Sequence, residues 1–62
     1  MNIGKYIKQA REEQGMTQKQ LADQLKCKQP YVSALENNAT VSIEQLEKVA
    51  GALNRHIIYF IR

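Results

Sequence analysis

One helix-start signal occurs twice in this chain, and it constrains the fold more than any other feature. Thr17 is followed three residues later by Gln20, and Ser42 is followed in the same way by Gln45. In each pair the hydroxyl of the cap residue can accept a hydrogen bond from the backbone N–H of the glutamine. The glutamine side chain can in turn accept from the backbone N–H of the cap residue, and the two bonds together form a capping box. A hydrophobic residue precedes each cap and another follows it, as in a hydrophobic staple. Two helices therefore begin directly after these caps.

Apolar residues at helical spacing account for the rest of the chain up to Asn54. Ile3, Ile7 and Ala10 predict a first helix, and Gly15 offers the left-handed conformation that ends many helices. The apolar positions after the two caps predict a short helix and a longer one that Asn54 stops. The spacing therefore predicts an all-α domain over most of the chain.

A further helix lies between the two capped ones, in the stretch "QPYVSALENN". Pro30 suits its first turn, where the missing N–H would have no helical partner. Val32 and Leu35 share one face, whereas most of the other side chains lie off it and are uncharged hydrogen-bonding groups. Only a few residues separate this helix from the preceding one. Two short helices joined so tightly predict a helix-turn-helix.

The size and charge of the chain bound its possible functions. A length of 62 residues allows one small domain with a modest core, so that an oligomeric partner can add stability. Nine Lys and Arg residues against six Asp and Glu residues give a formal net charge of +3 and a pI of about 9.3. This charge permits a polyanionic partner without requiring one.

Several other classes of protein fit the sequence poorly. One cysteine, Cys27, and one histidine exclude an internal disulfide framework and a zinc site, so we expect a reducing cytoplasm, no metal and no cofactor. Neither a signal peptide nor an apolar run long enough to span a bilayer is present, so we expect a soluble protein with no membrane partner. No nucleophile, carboxylate pair or glycine-rich phosphate loop suggests an enzyme.

The stretches "TQKQLADQL", "PYVSALEN" and "SIEQLEKVAGAL" together resemble a known family. From Ile3 to about Leu53 the sequence is similar to the helix-turn-helix domain of the lambda Cro and C1 repressor family, also called the Xre family. The resemblance implies a compact bundle of four to five helices. It also implies that the protein binds operator DNA as a dimer, with its third helix in the major groove.

The sequence departs from the family pattern at three positions. Lys26 stands where the family usually has glycine, so the turn needs either a non-glycine residue at positive φ or a slightly different path. Lys28 replaces the small cap residue before the third helix, and Asn38 replaces the glycine after Asn37. The last change is mild, because asparagine tolerates a left-handed conformation.

The resemblance implies a set of DNA-binding residues around the third helix. Gln29 matches the position that reaches base edges, where its amide can pair with N6 and N7 of adenine. Gln18 matches a residue that hydrogen-bonds a backbone phosphate at the start of the second helix, although it also suits an ordinary first-turn position. The full set is Gln18, Lys28, Gln29, Pro30, Tyr31, Ser33, Ala34, Asn37 and Asn38.

Other members of the set have alternative roles. Tyr31 can touch phosphate or sugar, or pack against the second helix. Asn37 and Asn38 match a second phosphate clamp, or serve as turn formers. Ala34 offers only a methyl contact to thymine, and Lys28, like Lys26, suits a phosphate better than a base.

The family resemblance also implies one structural ion pair. Arg11 of the first helix would be buried against Glu36 at the end of the third, and the alternative is two separate surface charges. Losing either partner of a buried pair strands a charge, at a cost of roughly 3 to 5 kcal/mol.

The last segment, "RHIIYFIR", is outside the resemblance. Ile57, Ile58, Tyr59, Phe60 and Ile61 are β-branched or aromatic, which favours a β-strand with both faces covered. A strand needs a partner, and the same strand of a second copy can supply it across a two-fold axis. This divides the chain into a DNA-binding domain over residues 1–54 and a dimerisation strand over residues 55–62. The alternative is a fifth helix packed on the bundle.

The sequence therefore predicts a dimeric, sequence-specific transcriptional repressor with double-stranded operator DNA as its partner. An antitoxin that binds a toxin protein and represses its own operon is the alternative, and it would use the same DNA-binding part. A neighbouring toxin gene or a co-purifying partner would distinguish the two. A scaffold without DNA contacts is disfavoured, because Gln18, Gln29 and Asn37 have no evident joint role in folding.

Overall fold

The protein folds as a helical bundle. The computed structural model describes residues 3–37 and 40–61, and within them it contains five helices and no strand. The helices are α1 (Ile3–Glu13), α2 (Gln18–Leu25), α3 (Gln29–Glu36), α4 (Ile43–Ala52) and α5 (Ile58–Ile61). None of these helices is long and apolar enough to cross a lipid bilayer. The predicted all-α fold is confirmed.

Both predicted capping boxes are formed. The amide of Gln20 donates to Thr17 Oγ1 at 3.0 Å, and the amide of Thr17 donates to Gln20 Oε1 at 2.8 Å. At the start of α4 the same reciprocal bonds join Ser42 and Gln45 at 3.2 and 3.1 Å. The starts of α2 and α4 are therefore where the sequence predicts them.

Left-handed residues end three of the helices. Gly15 follows α1 with φ of 68°, and Asn54 follows α4 with φ of 55°. Lys26 follows α2 with φ of 57°, so the turn contains a non-glycine residue at positive φ, the first of the two options for this position. Such a residue costs on the order of 1 kcal/mol relative to glycine. The amide of Cys27 then donates to the carbonyl of Ala22 at 2.9 Å, which closes the end of α2.

All five helices contribute to one hydrophobic core. Its largest buried side chains are Phe60, Ile7, Leu21, Leu35, Leu46, Leu53, Val32 and Val49. The apolar faces predicted for α1 to α4 supply most of these residues, as expected for amphipathic helices that turn one face inward.

The beginning of α1 crosses the end of α3 at close range. Gly4 is buried, and a Cβ atom at this position would lie 2.6 Å from the carbonyl oxygens of Leu35 and Glu36. Only glycine permits this approach, because real Cβ atoms do not come so close to backbone oxygen. The contact holds α1 against the end of the helix that carries Glu36.

The predicted strand at residues 57–61 is wrong, because residues 58–61 form the short helix α5. This outcome matches the alternative of a fifth helix. The amide of Tyr59 donates to the carbonyl of His56 at 2.9 Å, and that of Phe60 to the carbonyl of Ile57 at 3.0 Å. The segment therefore satisfies these backbone groups locally and needs no second strand for them.

Burial of one side chain explains why β propensity does not decide this segment. Phe60 is fully buried in the same core as Leu53. Propensity differences between residues span only about 1 kcal/mol in strands, whereas burying a Phe side chain contributes about 1.5 to 3 kcal/mol. Turning the segment into a helix places Phe60 inward and leaves Ile58 and Ile61 exposed.

Candidate nucleic-acid interface

The turn between α2 and α3 brings a group of exposed polar side chains to one surface. Lys28 precedes α3 and is its N-cap residue, but its side chain makes no capping bond. Gln29 and Pro30 form the first turn of α3 and are exposed, as is Ala34 one turn later. Val32 and Leu35 on the other side of α3 are buried in the core. The helix therefore packs one face and presents the other to solvent.

The start of α2 lies beside this exposed face. Gln18, Gln29, Pro30 and Ser33 line a shallow depression between the two helices. The side-chain amide of Gln29 donates to Oε1 of Gln18 at 3.4 Å. The first residues of α2 and α3, which are separated by ten others in the sequence, are thus adjacent in the structure.

A second hydrogen bond connects this pair to the interior. Nε2 of Gln18 donates to Oε1 of Glu36 at 3.1 Å. No sequence pattern predicts the contacts of Gln18 with Glu36 and Gln29. The sequence places both glutamines at helix starts, but these positions do not reveal how the two helices are oriented relative to each other.

Arg11 and Glu36 form the ion pair that the family resemblance implies. Nε of Arg11 lies 2.6 Å from Oε2 of Glu36, and Nη2 lies 3.3 Å from Oε1. The third guanidinium nitrogen, Nη1, donates to the carbonyl of Met16 at 2.7 Å. The two side chains are only 10% and 4% exposed. The pair is thus removed from water and is bidentate, a geometry in which each partner depends on the other.

The side chains of Asn37 and Tyr31 both contact other residues of the same chain. The side-chain amide of Asn37 donates to the carbonyl of Ser33 at 2.8 Å, so Asn37 stabilises the end of α3 in the manner of a turn former. Tyr31 is 37% exposed and lines a cavity with Leu25 and Val49. Its exposed part stays accessible to a partner, so this contact does not decide between its two predicted roles. Asn38, the other residue of the predicted clamp, lies outside the described residues.

The charges near the turn are basic and exposed. Lys26 and Lys28 flank Cys27 and are both exposed. Neither of the two ion pairs within residues 3–37 and 40–61 involves a lysine. Burial raises the pKa of the Cys27 thiol, so this residue behaves as a small apolar side chain packed against the core. The surface around the start of α3 is thus suited to an anion.

Comparisons with known proteins agree with this geometry. A helix-turn-helix family model matches residues 7–60. Among solved structures, the chain is similar to SinR, a master regulator for biofilm formation, in a crystal structure of SinR in complex with DNA. The TM-score is 0.87 and the identity 34%, over 97% of this chain and 98% of the SinR chain. No curated protein matches significantly. The chain therefore belongs to the Cro/C1-type helix-turn-helix family of DNA-binding transcription regulators.

Proposed function

We propose that this protein is a dimeric repressor that inserts α3 into the major groove of a specific operator. The observation that carries the proposal is the exposed first turn of α3, where Gln29 projects beside the basic turn. Side chains at the start of a recognition helix are those that reach base edges in helix-turn-helix complexes. The similarity to SinR, which was crystallised with DNA, supports the same mode of binding.

The proposed contacts divide into two kinds. Gln18, Asn37, Asn38, Lys26 and Lys28 bind phosphates and so set the register of the protein on the duplex. Gln29 reads adenine through its amide, and Ala34 offers a methyl group to thymine. Pro30, Tyr31 and Ser33 complete the surface that meets the groove.

The dimensions of the chain and of DNA support dimerisation on an operator with two half-sites. The Cα atoms of one copy extend 26 × 21 × 17 Å. Two half-sites of an operator lie about 34 Å apart, one turn of B-DNA. One copy is too short to read both, whereas two copies related by a two-fold axis can. The exposed Ile58 and Ile61 of α5 offer apolar surface for this second copy, in place of the strand pairing predicted from the sequence.

Repression results from occupancy of a promoter, which excludes the polymerase. The first test is fluorescence anisotropy of the protein on the DNA upstream of its own gene and on a scrambled duplex, over a range of salt concentrations. We expect a preference for the upstream DNA that Gln29→Ala reduces. Gln24→Ala is the matched control, because Gln24 is exposed on α2 and lines a groove toward α4.

Equal, steeply salt-dependent binding to both duplexes would contradict sequence-specific repression, since it would show phosphate contact alone. The antitoxin role remains the alternative, and no contact among the described residues favours it. A toxin that co-purifies with the chain from its native host would support that alternative.

A further inference from the structure

A groove runs between the end of α2 and the exposed face of α4, and none of the residues proposed to read bases lines it. Its narrower end is a recess of about 170 Å³ with Leu25 and Val49 in its apolar lining. A wider part of about 420 Å³ reaches Gly51 and Ala52. Because Leu25 and Lys48 line both parts, they form one groove.

Gly51 is the residue of this groove that the fold does not explain. It is exposed in α4, and its φ lies outside the left-handed region, so no backbone conformation requires a glycine here. A Cβ atom at this position would meet nothing within 4 Å, so no packing contact requires it either. Glycine is a weaker helix former than alanine, but it lets another group approach the backbone closely. Its presence therefore favours a partner that packs against α4.

Two lysines give the groove its charge. Lys26 and Lys48 are exposed and line it together with one acidic residue, Glu47. Neither of the ion pairs found in residues 3–37 and 40–61 includes any of the three. Two cations beside one anion attract a carboxylate more than an ammonium group. The groove therefore complements an acidic partner that also carries an apolar group for the recess.

The dimensions of the groove favour a segment of a protein over a free small molecule. Pockets for small molecules usually enclose roughly 300 to 1,000 Å³ and bury most of the ligand. The recess is smaller than this, and it suits a single ring or branched side chain, since a cavity of about 150 Å³ holds benzene. From Gln45 to Ala52 the groove follows two turns of α4, about 10 Å, and it is open to solvent. Such a groove accommodates a peptide segment that buries one of its faces.

We propose that the groove between α2 and α4 is a docking site for an acidic segment of a partner protein. One apolar side chain of that segment fills the recess beside Leu25 and Val49. Its carboxylates pair with Lys26 and Lys48, and its backbone packs against Gly51. The inference goes beyond the proposed function and does not depend on it, because it requires no contact with DNA.

The test selects the chemistry of the partner without presupposing it. Random short peptides displayed on phage are selected on the wild-type protein in the absence of DNA, because Lys26 is also a proposed phosphate contact. The enriched peptides should carry a net negative charge and a leucine or aromatic residue. In NMR spectra they should shift the amide signals of Leu25, Val49 and Gly51. Enriched peptides that are basic or uncharged, or that shift none of these signals, would overturn the inference.

Two variants and a matched control locate the contact. Gly51→Gln places a side chain over the groove and keeps α4 helical, since glutamine is a good helix former and the space is open. Lys48→Glu reverses a charge in the groove, and Lys8→Glu makes the same change at an exposed position of α1. Circular dichroism checks that all three variants keep their helices.

Gly51→Gln and Lys48→Glu should each weaken binding of the selected peptides by about tenfold or more, whereas Lys8→Glu should leave it within about twofold of the wild type. An equal loss in Lys8→Glu and Lys48→Glu would show attraction to net charge alone. Unchanged binding in Gly51→Gln would place the peptide elsewhere on the surface. Either result would overturn the inference.

Other occupants of the groove would give different results. Benzoate combines a ring with a carboxylate, so it is the probe for a free small anion. Groove signals that shift with benzoate at micromolar concentration, but with no selected peptide, would assign the groove to such an anion. Groove signals that shift as the wild-type protein alone is concentrated would assign it to a second copy of this chain. Either result would overturn the proposed acidic partner protein.

Discussion

At the scale of single residues, the three glycines have different physical roles. Gly15 ends α1 in a left-handed conformation, as the sequence predicts. Gly4 permits the close approach of α1 to α3, which no sequence pattern reveals. Gly51 lies within α4, where a Cβ atom would meet nothing within 4 Å. The same substitution should therefore have opposite effects at Gly4 and Gly51.

Gly4→Ala should destabilise the protein by about 1 to 3 kcal/mol, because the new methyl group would collide with the carbonyls of Leu35 and Glu36. Gly51→Ala should stabilise it by about 0.5 to 1 kcal/mol, because alanine is the better helix former and the space is open. Urea denaturation followed by circular dichroism measures both. Equal stability of the two variants would contradict the close approach of α1 to α3.

At the scale of the helices, charged and polar pairs determine how the elements are held together. Arg11 and Glu36 join α1 to α3 in the interior. On the surface, the carboxylate of Glu13 accepts from Nη2 of Arg55 and from the hydroxyl of Tyr59, both at 3.3 Å. These contacts join the end of α1 to α5 through Tyr59 and to the segment before α5 through Arg55. The first pair was predicted from the family resemblance, whereas the second was not identified from the sequence.

Arg11→Met should lower the free energy of unfolding by about 3 to 5 kcal/mol, because it leaves the buried Glu36 carboxylate without its cation. The double variant Arg11→Met with Glu36→Met should recover most of this loss, since no charge is then stranded. Thermal and urea unfolding of both variants check the two statements. An unchanged melting temperature in Arg11→Met would show that the pair contributes nothing.

The attachment of α5 should weaken in acid. The hydrogen bond from Arg55 holds the pKa of Glu13 below its ordinary value of 4.5, with further contributions from Gln9 and Tyr59. A lowered pKa in the folded state contributes stability at pH values above the unfolded pKa, and this contribution is lost as the pH falls through the folded pKa. The amide chemical shifts of Tyr59 and Phe60 should therefore change with pH below about 4.5.

The variant Glu13→Gln provides the control for this titration, because it keeps the shape of the side chain without a titratable group. Its Tyr59 and Phe60 amides should lose that part of the pH dependence. If they titrate as in the wild type, another carboxylate controls the attachment of α5.

At the scale of the whole molecule, α5 leaves two apolar side chains on the surface. Ile58 is 59% exposed and Ile61 is 37% exposed, although Phe60 between them is buried. If α5 supplies the dimer contact, Ile58→Lys combined with Ile61→Lys should shift sedimentation at micromolar concentration toward the monomer. Circular dichroism should remain unchanged, because neither side chain belongs to the buried core.

Ile43→Lys is the control for this experiment. Ile43 is 60% exposed but lies at the start of α4, so its substitution should leave self-association unchanged. A wild-type protein that sediments as a monomer would contradict the proposed dimer, whichever surface forms it.

The sequence by itself determined the features that depend on neighbouring residues. Both capping boxes, the first-turn proline of α3 and the left-handed Gly15 and Asn54 are local, so their backbone geometry follows from a few adjacent side chains. The family resemblance extended this to the helix-turn-helix and to the pairing of Arg11 with Glu36.

Only the tertiary structure decided the features that join distant parts of the chain. The β-branched C-terminal segment became a helix because burying Phe60 in the core outweighs its local strand propensity. Gln18 contacts Glu36 and Gln29 because the packing of α1, α2 and α3 brings these side chains to one place. Local sequence patterns depend on residues close together in the chain, so they predict local backbone structure. Contacts between distant residues depend instead on how whole helices pack against each other.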